Sequence, residues 1–192
     1  MLILIVSINF VCYYLSMSEL RKNDIFIVTI DGYNSDAMGV CRIDGRAVFV
    51  PGTVMGEVWE IKILKVASNA VYAKALNCIS SSARRVIPEC AHFGKCGGCN
   101  CWHMSYEEEL NFKISKVNDA FRRIGHQSLK ACEIIGADSL YSYRNKGILA
   151  VSKFEGKPRA GFYRQRSHDI IPVNDCLLQS EIANRINLAV LE

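Results

Sequence analysis

Three cysteines stand close together in CAHFGKCGGCNCWH (90–103): Cys90, Cys96 and Cys99, spaced C-x5-C-x2-C, with Cys101 two positions further on. Thiolates are soft metal donors, and clustered thiols in a reducing compartment bind metal more often than they pair as disulfides. Structural zinc sites usually present two close ligand pairs. Thiolate-bound iron–sulfur clusters commonly take three nearby cysteines and one distant one. The single trio therefore favours an iron–sulfur centre over zinc and over unligated thiols, and leaves all three open. Gly97 and Gly98 let the backbone fold tightly and bring N–H groups to the sulfurs. Cys101 can replace Cys99 on spacing alone, but CGGC is the tighter loop. Two distant cysteines qualify as a fourth ligand: Cys132, just beyond a helix, and Cys176, just after a strand. Cys12, Cys41, Cys78 and Cys132 lie on apolar or mixed segments, where buried free thiols are the ordinary expectation.

A second feature is basic. The chain of 192 residues carries a formal charge of +4, half of its residues are hydrophobic and 22% are charged, which excludes a disordered chain. Residues 141–166 hold seven basic residues and one acidic one. Aromatic rings are interleaved with them: Tyr143, Arg144, Lys146, Lys153, Lys157, Arg159, Phe162, Tyr163, Arg164 and Arg166. Cations bind phosphates and aromatic rings stack on unpaired bases, so this stretch reads as an RNA contact surface. The alternative is a solvated hairpin face with Phe162 in the core.

The elements that must position these residues come in three groups. DIFIVTID (24–31), VCRI (40–43), AVFV (47–50), VWEIKIL (58–64) and AVYAKAL (70–76) read as five short strands. Asp44-Gly45 is a hairpin turn, and PGTVMGE (51–57) is a loop. Closing such strands into a small barrel of OB type removes exposed edges. SSSARRVIP (80–88) reads as a linker. After the cysteines, Ser105 and Glu108 fit a capping box, and Glu107 to Glu109 suit the positive end of a helix. Leu110, Ile114, Val117, Phe121 and Ile124 form an apolar stripe expected to pack, with Gly125 as C-cap. KGILAVSKF (146–154) and RAGFYR (159–164) then face each other across EGKP, and HDIIPV (168–173) adds a third strand. CLLQSEIANRINLAVLE (176–192) has helical spacing at Leu178, Ile182, Ile186 and Val190. It runs to the last residue without a stop signal, as in a chain truncated at the C-terminus.

The first fifteen residues, MLILIVSINFVCYYL, are uncharged and mostly apolar. They are short for a spanning helix, which needs ~20 residues, and lack the basic start and cleavage site of a signal peptide. Translation from Met17, with 1–16 a miscalled extension, is the expectation, with a membrane anchor as its rival. No other stretch is a candidate span, so the expected chain is cytoplasmic, without membrane contact, and monomeric.

Taken together, these segments resemble the RNA (uracil-5-)-methyltransferases that carry a TRAM domain and a 4Fe–4S cluster. GVCRIDGRAVFVPGTVMGE (39–57) is similar to the TRAM core. SARRVIPECAHFGKCGGCNCWHMSYEEELNFK (82–113) is similar to the cluster segment and following helix. YRNK (143–146), GFYR (161–164) and HDIIPVNDC (168–176) match the central region. The resemblance implies a mostly β fold with α: a TRAM barrel over 17–79, a linker at 80–88, and an iron–sulfur and central region over 89–192. It implies Cys90, Cys96, Cys99 and Cys176 as ligands of a 4Fe–4S cluster. Tyr143, Arg144, Lys146, Arg159, Phe162, Arg164 and Arg166 are the candidate RNA contacts. Members of the family continue into a Rossmann-like domain that binds S-adenosylmethionine and holds the nucleophile; this sequence shows no counterpart, so none of its cysteines is assigned as catalytic. The expected whole protein makes 5-methyluridine in RNA, with 23S rRNA as the favoured substrate over tRNA. The alternative is a stand-alone RNA-binding iron–sulfur module without catalysis. A radical S-adenosylmethionine enzyme is disfavoured, because its C-x3-C-x2-C spacing does not occur.

Overall fold

The structure is a computed structural model, and residues 20–191 are described. The apolar run at 1–16, Cys12 and the expected start at Met17 lie outside the described residues. Six strands form the first sheet: β1 (Ile25–Thr29), β2 (Gly32–Tyr33), β3 (Gly39–Ile43), β4 (Arg46–Val50), β5 (Val58–Val66) and β6 (Val71–Ser80). Their order is β1-β5-β6-β4-β3-β2. All neighbours are antiparallel except β4 and β6, which run parallel. The five expected strands are present, and the two-residue β2 is an addition. β2 closes the fold: the chain leaves one edge of the sheet at β1 and joins the other at β2 after two intervening residues. Ile30 N–H donates to Glu57 O, and Asp31 N–H to Val40 O. The sheet therefore curls into a half-barrel whose edges are drawn together. The β3–β4 turn is made by Asp44 and Gly45, both at positive φ (49° and 76°), as a two-residue hairpin with right-handed strand twist requires.

The barrel core is built by inward alternation of apolar side chains: Ile30, Cys41, Val48, Val50, Ile61, Ile63 and Val71 are all buried. A second, smaller apolar group sits at the barrel end, where Ala37, Val54 and Met104 meet Tyr33, Cys101 and Phe112. It joins the barrel to the segment after the cysteines.

Helix α1 (Tyr106–Arg123) starts as expected at Ser105, whose hydroxyl accepts from Glu108 N–H at 3.3 Å. The other half of the capping box does not form. Glu108 turns inward instead, 1% exposed, and accepts from Tyr33 Oη at 2.8 Å, with Arg84 3.3 Å away. The expected packed stripe is also corrected: Val117, Phe121 and Ile124 are exposed, and Glu108 is the buried residue of the helix. At the other end the cap is Ile124, and the left-handed residue is His126 (φ 49°) rather than Gly125.

The second sheet has three antiparallel strands, β7 (Ala150–Phe154), β8 (Lys157–Tyr163) and β9 (Ile170–Pro172), in that order. β7 begins four residues later than expected. The turn contracts to Glu155-Gly156, both at positive φ (50° and 83°), so Lys157 and Pro158 belong to the strand. Helix α2 (Glu181–Ala189) begins after Ser180, whose hydroxyl accepts from Ala183 N–H at 3.2 Å. Leu178 precedes it and is buried, whereas Ile182, Ile186 and Val190 are exposed.

The segment expected to link the two halves is anchored. Arg85 pairs in a bridge with Met104, and Ser105 N–H donates to Arg84 O at 2.7 Å. Arg85 also reaches back into the barrel: its Nε and Nη2 donate to the fully buried Glu57 carboxylate, the latter at 2.8 Å. Glu57 further accepts from Trp59 Nε1 at 2.7 Å and Val54 N–H at 2.8 Å. Burial pushes this carboxyl up, but the bonds from Arg85, Trp59 and Val54 outweigh it and hold the group below the usual carboxylate range.

Candidate metal centre and nucleic-acid interface

The cysteine loop is a series of tight turns. Phe93 N–H donates to Cys90 O, and Lys95 and Cys96 N–H both donate to His92 O. Gly94 takes a positive φ of 78°. Gly97 is needed for a close approach: its N–H donates to Tyr163 O at 2.9 Å, and a Cβ there would stand 2.7 Å from that oxygen. Gly98 N–H points at Cys96 Sγ, 3.4 Å away, the kind of donor that steadies a thiolate.

On the far side of the chain, Val173 N–H donates to Ala160 O. Asn184 of α2 then clamps the backbone of Cys176: its Oδ1 accepts from Cys176 N–H and its Nδ2 donates to Cys176 O, both at 3.1 Å. Cys90, Cys96, Cys99 and Cys176 consequently line one small cavity with Phe93, Trp102, Phe162, Val173, Leu177 and Leu178. Burial pushes the Cys99 thiol up to about 11, with the Arg144 guanidinium working against it. Burial likewise raises Cys96. Loading such thiols with a metal must therefore release protons.

The other cysteines point elsewhere. Cys101 packs with the Ala37, Val54 and Met104 group, and burial pushes its thiol up to about 11. Cys132 is exposed, its Sγ 3.5 Å from Lys130 O. The expectation of buried free thiols holds for Cys41 and fails for Cys78 and Cys132, which are exposed because they sit at the open end of β6 and in an irregular stretch.

As a receptor, the cavity offers four thiols in a mostly apolar wall, which is the donor chemistry of a thiolate-bound cluster. Among the described residues no three His, Cys, Asp or Glu side chains converge closely enough to hold a single ion. The enclosed space is about 20 Å³, near what one water needs.

The basic stretch divides into three places. Arg144 and Phe162 line the cysteine cavity, where Phe162 is half-buried. Arg144 is fixed there by its N–H to Leu178 O at 2.8 Å. Tyr143 and Lys146 are exposed on the adjoining loop, and Arg159 lies along the hairpin with Nε 3.0 Å from Ser152 Oγ. Arg164 and Arg166 line a separate open groove of about 770 Å³ between the barrel loops, the cysteine loop and the end of β8.

Sequence reasoning missed three buried polar residues beside the site. His103 is 2% exposed, places Nε2 3.2 Å from Thr53 O, and leaves Nδ1 without a hydrogen-bond partner. Burial lowers its pKa, and the carbonyl partner requires Nε2 to be the donor. Glu57 and Glu108 were read as loop and cap residues. Only the paired Arg84-Arg85, one cation for each buried carboxylate, hinted at their partners.

Comparison with known proteins agrees with this architecture. Residues 21–76 match the TRAM domain, which accounts for the half-barrel. The chain is 42% identical over 166 residues to an uncharacterized RNA methyltransferase of Clostridium tetani, covering 86% of this chain and 36% of that protein. An uncharacterized RNA methyltransferase of Listeria monocytogenes is 40% identical, over 85% of this chain and 36% of its own length. Among solved structures, the tRNA (uracil-54, C5)-methyltransferase of Pyrococcus abyssi, in complex with S-adenosyl-L-homocysteine, superposes with a TM-score of 0.57 at 20% identity, over 85% of this chain and 35% of that one. That likeness extends the shared fold beyond the barrel. Residues 21–76 thus form a TRAM domain, and over most of its length the chain is similar to RNA methyltransferases. It spans about a third of the length of the curated relatives it matches. No helix among the described residues is long and apolar enough to cross a membrane.

Proposed function

We propose that these residues are the RNA-gripping, 4Fe–4S-bearing part of an S-adenosylmethionine-dependent RNA (uracil-5-)-methyltransferase, acting on 23S rRNA in the cytoplasm. The observation that carries the reading is that Cys90, Cys96, Cys99 and Cys176 all line one apolar cavity, which Arg144 and Phe162 of the basic, aromatic stretch also line. A bound cluster supplies four metal–sulfur bonds that tie the loop at Cys99 to a residue 77 positions later (176 − 99), closing a long stretch of chain.

The chain's own residues bind and orient. Arg144 offsets the negative charge of thiolates in the cavity. Asn184 fixes the Cys176 backbone. Gly97 N–H holds the loop against Tyr163. Lys146, Arg159, Arg164 and Arg166 present positive charge to phosphates, which positions RNA without reading its sequence. The methyl transfer belongs to the part of the relatives' length that these residues do not span. There a cysteine thiolate adds to uracil C6, making C5 nucleophilic towards the methyl donor, and the target base must leave its stack to be reached.

The test uses the chain with unmodified rRNA fragments and labelled S-adenosylmethionine. Binding is expected, with log affinity falling against log salt at a slope of roughly −3, as ~4 phosphate contacts on a single strand imply. No labelled 5-methyluridine is expected from this chain by itself. Enzyme-dependent label contradicts the assignment of catalysis to the length that these residues do not span, and absence of RNA binding contradicts the grip.

A further inference from the structure

We propose that the groove between the barrel, the cysteine loop and the end of β8 is a subsite for one unpaired ribonucleotide, its base stacked on Tyr163 and its phosphate held by Arg164 and Arg166. This deepens the reading as an RNA-gripping chain and rests on it. The basic hairpin face alone needs no such pocket.

The groove has the size of a ligand site, about 770 Å³. Its wall carries Arg164, Arg166 and His168 against a single carboxylate, Asp36. Tyr163 is 52% exposed, with its ring edge-to-face with His168 at 5.9 Å between centroids. An exposed tyrosine beside two arginines is the composition that stacks bases and neutralises phosphates.

The arginines are placed. Arg166 lies over the Tyr72 ring of the barrel, 5.7 Å from its centroid, with Nη2 3.6 Å from Met38 Sδ. Both contacts are made by the guanidinium, which is thereby held beside the groove. Arg164 N–H donates to Asp169 O at 2.8 Å, its Nε stands 3.8 Å from the Asp169 carboxylate, and the side chain is half exposed. The cysteine loop forms the adjoining wall. Gln165 Nε2 donates to Asn100 Oδ1 at 3.2 Å, and Cys96 bridges Arg164.

Backbone strain collects at the same place. Ala37, Gly52, Gly94 and Arg166 all line the groove and all have positive φ (60°, 76°, 78° and 57°). For Ala37 and Arg166 that conformation is unfavourable, and such residues gather where structure serves a ligand. Two separate segments, at Ala37 and Arg166, thus bring strained residues to one basic, aromatic recess.

The experiment uses the chain and a short single-stranded RNA carrying 5-iodouridine. Tyr163→Ala removes the stacking ring without touching the backbone carbonyl that Gly97 uses, and is expected to weaken binding about tenfold, within the range of a lost base stack. Arg166→Ala is expected to lower the magnitude of the salt slope by about 0.7. Asn100→Trp fills the recess and is expected to weaken binding comparably. Lys22→Glu, remote from the groove, serves as the charge-change control, and thermal melting confirms that each variant is folded. Photo-crosslinked peptides should contain Tyr163 or Phe93, and duplex RNA should not crosslink there. If the wild type binds but all three variants bind equally well and crosslinks map only to 143–159, the subsite is wrong and the RNA grip stands. If the wild type does not bind single-stranded RNA, both fall.

Discussion

Cys176 is the residue on which the metal reading turns. It reaches the cavity because Asn184 holds both its N–H and its carbonyl. Cys176→Ser should therefore lose most bound iron, whereas Cys101→Ser and Cys132→Ser should keep it, measured as iron per chain after anaerobic purification. The spacing C-x5-C-x2-C made the trio legible in the sequence. Cys176 was singled out only by resemblance, because a residue distant in sequence carries no local pattern; what the structure adds is that it lines one cavity with the trio. A second residue-scale prediction concerns Glu57. Its folded carboxyl is held below the ordinary value, so its contribution to stability is present above the unfolded carboxylate pKa of about 4.3 and is lost as pH falls through the lower folded value. Melting of Glu57→Gln between pH 3 and 6 should be flatter with pH than that of the wild type. Parallel curves for the two proteins would remove Glu57 as the source.

At the scale of elements, the barrel was legible because its strands alternate and Asp44-Gly45 marks a turn that only one hairpin geometry satisfies. Helix α1 was legible as a helix but not in its packing. Periodicity names an apolar face and not what covers it, and here the face that turns inward carries Glu108 while Val117 and Ile124 stay exposed. The segment 80–88 looked like a linker from its serines and proline. Arg84 and Arg85 instead tie it to both halves through Glu108 and Glu57. Removing one member of a buried ion pair leaves an uncompensated charge, at about 3–5 kcal/mol. Arg85→Ala is thus expected to lower stability by that amount in urea unfolding, and a loss below about 1 kcal/mol, the range of an exposed pair, would show that the tie is dispensable.

Across the whole molecule, the cysteine loop is shared by two features. Its inner side supplies three thiols to the cavity, and its outer side, through Gly97 and Asn100, meets Tyr163 and Gln165 at the groove. On the proposed reading, a cluster would staple this loop from within, and loading should protect residues 90–100 from hydrogen exchange. The central claim is that four thiolates of this chain hold one 4Fe–4S cluster. The most direct measurement is iron, zinc and acid-labile sulfide per chain in protein purified without oxygen, beside Cys176→Ser. About four irons and four sulfides are expected, with brown colour, and most of both lost in the variant. Stoichiometric zinc without sulfide, or iron unaffected by Cys176→Ser, would contradict the account.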